Sequence, residues 1–329
     1  MPFLRQDGNG KRMSGWSNVL TMAVVLGVLT TGAAVPVDDG AEYRVMFWNL
    51  ENFYDFIDGG TGESDAEFSS TGARRWTKNR FYRKCNAVAK TMLWAGVPDI
   101  VGVAEVENRF VLKQLLTKTA LRKLDYEIVH FDSPDPRGID CALLYRTSRL
   151  RLARAEPCRV SAPGLQTRDI LLAQFTTPEG DSLAVLVNHH PSKYGGGGTD
   201  WRREVAVARL RALGDSLAAE GWPRAVAVGD FNDVPENPLF VRLAPTFSLC
   251  RRTGPARGSI RFNGEWQLID LCFVTPALAG AASFSVLEPP FLTERDAAHS
   301  GDRPLRTYSG PRYIGGVSDH RPILVRLDP

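Results

Sequence analysis

The 329-residue chain is 43% hydrophobic and 23% charged, an ordinary globular composition with ample length for one large core or two smaller ones. Its 40 Lys and Arg against 37 Asp and Glu give a formal charge of +3, and without residues 1–34 the balance is 37 to 36, a net of +1. A charge that small excludes long-range steering of a polyanion, so any nucleic-acid binding would come from a local patch.

The first element in chain order is a basic stretch (Arg5, Lys11, Arg12) before an apolar run from Val19 to Leu29, followed by the small residues Gly32-Ala33-Ala34. This is the pattern of a secretory signal peptide, and the run is short for a membrane span. The expectation is a signal segment over 1–34 and a single domain over 35–329. The protein would be exported, whether periplasmic, secreted or held at the cell surface. An uncleaved N-terminal anchor is the competing reading.

From Tyr43 onward, strand and helix patterns alternate without a long linker. "YRVMFWNL" reads as a buried strand, and "FYRKCNAVAKTMLWAG" as a helix with Phe81, Cys85, Val88 and Met92 on one face. "DIVGVAEVE" is the next strand, and Asn108 opens a helix over "RFVLKQLLTKTA". A β-rich middle follows: "YEIVHF", "DCALLYR", "RLRLARAEPCRV", "DILLAQFTT" and "SLAVLVNHH", separated by Pro-, Gly- and Asp-rich turns. "WRREVAVARLRALGDSLAAEG" is a long helix, and "RAVAVGDF", "WQLIDLCFV" and "PILVRL" are the last strands. Helices early and late around a β-rich centre predict two packed sheets with helices outside, an α/β fold.

Five cysteines (Cys85, Cys141, Cys158, Cys250, Cys272) are odd in number and show no metal-ligand spacing. Cys85, Cys141 and Cys272 fall at apolar positions, where a buried thiol is the default. One disulfide, for instance Cys158 to Cys250, stays open in an oxidising compartment.

Costly polar residues end the apolar strands in five places. They are Asn49 in "MFWNLENF", Glu105 in "DIVGVAEVENR", His189-His190 in "AVLVNHHPSK", Asp230 and Asn232 in "AVAVGDFNDVPENP", and Asp270 in "QLIDLCFV" together with Asp319-His320 in "GGVSDHRPILV". Each has an ordinary structural reading: a turn-forming Asn, a solvated acid, a capping His, an Asx turn. Asp230 and Asn232, alternating with Phe231, are expected to point to one side. Asp270 inside a strand needs a partner, and His320 on an adjacent closing strand would be one. Together these residues supply acids, imidazoles and amides with no Ser or Cys nucleophile among them. That inventory suits metal-assisted hydrolysis of a phosphate ester: carboxylates hold a hard cation, an acid activates water, and imidazoles donate to the phosphoryl charge.

The Gly-Asp-Phe-Asn run at 229–232 and the terminal Ser-Asp-His at 318–320, in this order and separation, resemble the endonuclease/exonuclease/phosphatase superfamily over residues 43 to 328. The resemblance implies a four-layered α/β sandwich and a divalent-metal phosphoesterase, with Mg²⁺ or alternatively Mn²⁺ as the ion. By the same resemblance, Asn49 positions the metal and the attacking water, and Glu105 and Asp319 are metal acids. His189 donates to the phosphate or leaving group, Asp230 activates water, and Asn232 contacts phosphate. Asp270 orients His320, which binds the scissile phosphate. Ala104 stands where the family commonly has Gln, and His190 beside His189 is not general in it.

For the substrate, Arg202 and Arg203 follow the His189 strand closely and are the basic residues expected to face phosphate. The leading expectation is a monomeric nuclease acting on the phosphodiester bonds of DNA or RNA. A phospholipid or sugar-phosphate esterase, or a non-catalytic binding domain on the same scaffold, are the alternatives.

Overall fold

The computed structural model describes residues 42–60, 62–193 and 197–328. All lie within one compact unit, Asp38–Pro329. The expected signal segment at 1–34 falls outside the described residues.

Two large mixed sheets make up the core of the protein. Thirteen strands build them: β1 (Tyr43–Phe53), β2 (Ile100–Val106), β3 (Tyr126–His130), β4 (Asp140–Arg146), β5 (Arg151–Cys158), β6 (Ile170–Thr176), β7 (Ser182–His189), β8 (Ala225–Asp230), β9 (Ser248–Leu249), β10 (Arg251–Thr253), β11 (Asp270–Val274), β12 (Ala282–Val286) and β13 (Ile323–Leu327). The seven-stranded sheet has the order β10-β12-β13-β1-β2-β4-β3, and the six-stranded sheet the order β5-β6-β7-β8-β11-β9. Among the described residues the α-helices are α1 (Glu63–Glu67), α2 (Lys78–Trp94), α3 (Arg109–Lys118) and α4 (Asp200–Ala219), of which α2, α3 and α4 flank the sheets.

The side chains of β1 show why its sequence is apolar without interruption. Val45 and Phe47 face the other sheet and join Leu171, Val185 and Val187 in the sheet-to-sheet core. Met46, Trp48 and Leu50 face the opposite way and pack with Phe81, Cys85 and Val88 of α2 and Leu112 and Leu115 of α3. A strand covered on both faces reads as a continuous apolar run, because alternation has no solvent side to mark. On the second sheet, Ala206, Val207 and Leu210 of α4 join the core that contains Val226 and Val228 of β8. The result is helix, sheet, sheet, helix: the four-layered α/β sandwich.

Local signals set the helix ends. The Asn108 side chain accepts a hydrogen bond from the Val111 amide and caps α3, as its sequence position suggested. The predicted face of α2, Phe81, Cys85, Val88 and Met92, is fully buried.

Two expectations need correction, and the cysteine pairing left open by the sequence is answered. "WQLIDLCFV" is not one strand: Glu265–Gln267 pairs with Ile260–Phe262 in a separate hairpin, and only Asp270–Val274 enters the sheet. The strand of Asp270 and the closing strand after His320 are not neighbours, because β11 lies in the six-stranded sheet and β13 in the seven-stranded one. The Cys158–Cys250 disulfide is not formed. All five thiols are free and buried, and the Cys250 amide donates instead to the Cys272 carbonyl at 2.8 Å.

Candidate active site

The register of the six-stranded sheet places three of the predicted residues at one level. His189, the last residue of parallel β7, pairs with Asp230, the last residue of β8, and Asp230 pairs with Asp270, the first residue of antiparallel β11. Close approach of β7 and β8 depends on Gly229, where an added Cβ would lie 2.3 Å from the Asn188 carbonyl oxygen. Phe231 is fully buried against His190, Phe240 and Phe273, so the Gly-Asp-Phe-Asn run is anchored by an aromatic cluster behind the site.

The seven-stranded sheet brings the other half. Asn49 of β1 sits beside Ala104 of β2, and Glu105 follows with a left-handed φ of 60°. That strained backbone turns the carboxylate inward, where Oε2 accepts the Asn52 amide at 2.8 Å and Oε1 lies 3.7 Å from His189 Nε2. Ala104 itself is buried between the sheets.

Ser318 ties the closing segment to β1. Its hydroxyl donates to the Asn49 carbonyl at 2.6 Å and accepts the His320 amide at 2.9 Å, while Trp48 Nε1 donates to the His320 carbonyl at 2.9 Å. With its backbone pinned there, His320 reaches across to the second sheet and sets Nδ1 2.8 Å from Asp270 Oδ2. Ser259 fixes the other member of the pair, its hydroxyl accepting the Asp270 amide at 3.1 Å.

These groups converge on Asp230 Oδ2. The Asn49 amide donates to it at 3.0 Å, His189 Nε2 lies 3.7 Å away and His320 Nε2 3.8 Å away. The second oxygen, Oδ1, accepts the Asn232 backbone amide at 2.9 Å. Burial, reinforced by the nearby Asp270 charge, pushes the Asp230 carboxyl up to about 7. Burial would lower the His320 pKa, but Asp270 and Asp230 outweigh it and hold the imidazole well above its usual range. His189 moves the opposite way: burial, then the Arg168 and Arg137 charges, keep it neutral. One acid near neutrality, one charged imidazole and one neutral imidazole therefore share a single oxygen's surroundings, a separation of proton affinities expected of acid–base machinery.

Asn232 departs from the expected alternation. The strand ends at Asp230, Asn232 adopts a left-handed φ of 51°, and its side-chain amide donates to the His190 carbonyl at 2.9 Å. It closes an Asx turn on Asp230 rather than sharing a face with it. Arg203 is likewise turned elsewhere: at 2% exposure its Nε lies 3.3 Å from Asp233 Oδ2, and it also pairs with Asp200. Arg202 stays half-buried in a cleft with Arg168. His190 is a packing residue, its ring edge-on to Phe231 and its pKa lowered to about 3 by burial.

The sequence reading missed Glu51, Lys84, Arg168 and Arg306. Arg306 donates twice to Glu51 Oε1, at 2.9 and 2.6 Å, and its Nη2 lies 3.0 Å from Asp319 Oδ2. Lys84, fully buried, donates to the Glu51 carbonyl at 2.7 Å. Glu51 is the second residue after Asn49, a spacing that could have flagged it; the cations arrive from distant segments and carry no such signal.

Glu51, Glu105 and Asp319 supply carboxylate oxygens of the kind a hard divalent cation takes, although among the described residues the three do not close into one group within 4.8 Å. A guanidinium already stands among these carboxylates: Arg306 touches Glu51 and Asp319 and feels the charge of Glu105. Among the described residues, the His and Asp groups that do close to within 4.8 Å of one another at this site are Asp230, Asp270 and His320, which the Asp270–His320 ion pair accounts for.

No curated protein matches the chain by sequence. Solved structures show the same fold. The catalytic domain of human Nocturnin, with a bound sulfate anion, is 18% identical over 87% of this chain and 93% of its own, with a TM-score of 0.56. Truncated TDP2 of Caenorhabditis elegans is 16% identical over 88% and 98%, with a TM-score of 0.58. The mannosyl-6-phosphatase of Bacteroides thetaiotaomicron is 17% identical over 86% and 98%, with a TM-score of 0.56. Members of the Endonuclease/Exonuclease/phosphatase family are divalent-metal-dependent hydrolases of phosphoesters; its sequence profile matches residues 44–329, and the chain belongs to this family.

Proposed function

We propose that the protein is an exported, Mg²⁺-dependent phosphodiesterase that cleaves DNA or RNA. The observation that carries the reaction class is the convergence of Asn49, His189 and His320 on Asp230 Oδ2. Export rests on the N-terminal sequence pattern alone.

The gaps of 3.7 and 3.8 Å between Asp230 Oδ2 and the two imidazoles are too long for direct hydrogen bonds, so neither ring is bonded to that oxygen. Asp230, once ionised, takes a proton from the attacking water, while the Asn49 amide keeps the carboxylate aimed. His320, charged through its contact with Asp270, donates from Nε2 to a phosphoryl oxygen as negative charge builds there. Neutral His189 offers a second donor to the phosphate or leaving group. A divalent cation held by Glu105 and Asp319 would neutralise the phosphoryl oxygens when bound.

The test is nicking of a supercoiled plasmid by the purified protein with Mg²⁺ or with EDTA, beside the His320→Ala protein. Metal-dependent cleavage lost in the variant is the expected result. Hydrolysis of a phosphomonoester or lipid ester with no cleavage of DNA or RNA would replace the nuclease assignment. Equal activity in both proteins would remove the site.

A further inference from the structure

Beside the Asp230 cluster runs a cavity of about 560 Å³ whose walls include Pro136, Gln166, Thr167, Arg168, Ser192 and Arg202. It joins the candidate active site through Arg168, whose Nη2 donates to the His190 carbonyl at 2.7 Å and whose charge acts on the neighbouring His189.

The charge of the cavity is one-sided. Arg168 is paired through Nη1 with Asp135 at 2.8 Å, but among the described residues no carboxylate lines the cavity itself. Among the described residues Arg202 has no ion-pair partner, and its buried Nε has no hydrogen bond. Thr167, 1% exposed, has an unpartnered hydroxyl, and the Nε of Arg168 is also unpartnered. Buried donors left unpaired are costly, and guanidinium–phosphate contact is a strong way of satisfying them. Arg202 also stands in the first turn of the 20-residue helix α4, where the helix dipole adds positive potential. The cavity at Arg203 makes the contrast: there Asp200, Glu204 and Asp233 share the lining, and the guanidinium is already neutralised.

We infer that the Arg202 cavity is an anion subsite that takes a second phosphate of the substrate, adjacent to the phosphate being hydrolysed. The substrate class is then a molecule carrying at least two phosphates in series, as a polynucleotide strand does. The role as a second-phosphate site rests on the phosphodiesterase reading above; the binding of an anion does not.

Two measurements on the full-length protein separate them. Inorganic phosphate is titrated calorimetrically in EDTA, where the unneutralised carboxylates of the active site repel it. Binding is expected, weakened about tenfold or more in Arg202→Gln, partly kept in Arg202→Lys and unchanged in Arg312→Gln, an exposed control. With Mg²⁺, kcat/KM is then compared between dTpdT and the same dinucleotide carrying a 5′- or 3′-phosphate. One phosphorylated form should be preferred about tenfold, and the preference should vanish in Arg202→Gln. Absent phosphate binding, or binding indifferent to Arg202→Gln, overturns the subsite even in an active phosphodiesterase. Arg202-dependent phosphate binding in a protein that hydrolyses no diester overturns the phosphodiesterase reading and the second-phosphate role with it.

Discussion

Nδ1 of His320 lies 2.8 Å from Oδ2 of Asp270, a contact across 50 residues of chain between the segment that leads into the seven-stranded sheet and the first residue of β11 in the six-stranded one. Asp270 is fully buried and its Oδ1 has no hydrogen-bond partner, so the charge on His320 is its principal compensation. Asp270→Asn should leave the fold intact and remove most of the force that raises the His320 pKa. Because the imidazolium form is the one the reaction uses, the alkaline limb of the kcat profile should move to lower pH. Turnover at pH 7.5 should fall about 100-fold. A pH–rate series on the two proteins checks both, and an unmoved limb would dissociate Asp270 from His320 function.

The acid limb belongs to Asp230. Its carboxyl, pushed up to about 7 by burial and by Asp270, must lose its proton before it can act as a base. Activity is therefore present above about pH 7 and should drop about tenfold per unit below it. The Asn49 amide stabilises the ionised form, so Asn49→Ala should shift this limb to higher pH. Initial rates between pH 5 and 9 decide the sign.

Arg306 competes for the carboxylates that would bind a cation. Its guanidinium contacts Glu51 and Asp319 from a side chain 42% exposed. Arg306→Ala should tighten Mn²⁺ or Mg²⁺ binding about fivefold, the scale of a partly exposed ion pair. Calorimetry with each cation measures it; weaker binding would show that Arg306 organises the acids instead of screening them.

Arg203 and Arg202, neighbours in sequence, should separate completely. Removing Arg203 breaks a buried pair with Asp233, and Arg203→Ala should lower the unfolding free energy by about 3 kcal/mol. Urea denaturation of this variant beside Arg202→Gln, which leaves no broken ion pair, provides the comparison.

Gly229→Ala tests the junction that seats the cluster. The added Cβ would meet the Asn188 backbone at 2.3 Å, which only a shift of β7 or β8 relieves. A loss of about 2 kcal/mol or more is expected, with turnover reduced because His189 and Asp230 sit on those two strands. Denaturant midpoints and kcat for the same preparation read both effects.

Much of this architecture could be read along the chain. Apolar runs marked the strands, the Phe81–Met92 periodicity marked the buried face of α2, and Asn108 marked the start of α3. The polar residues ending those runs stood out because burying them is expensive without partners. Each of these signals is local, lying within one element, so the sequence by itself determined most of the strands and helices and the inventory of acids, amides and imidazoles, while the split of "WQLIDLCFV" into a hairpin strand and β11 needed the pairing partner Ile260–Phe262.

Partnership was decided only by the tertiary structure. Register put His189, Asp230 and Asp270 at one level, and the packing of one sheet on the other delivered His320 to Asp270 without the two strands being neighbours. Backbone handedness at Asn232 overrode the strand alternation that would have aimed it at the site. Arg306 reaches Glu51 across 255 residues, and Arg203 is drawn to Asp233 while Arg202 has no ion-pair partner among the described residues. Charge pairing depends on distances of a few ångströms between segments far apart in the chain, and no periodicity within either segment encodes those distances.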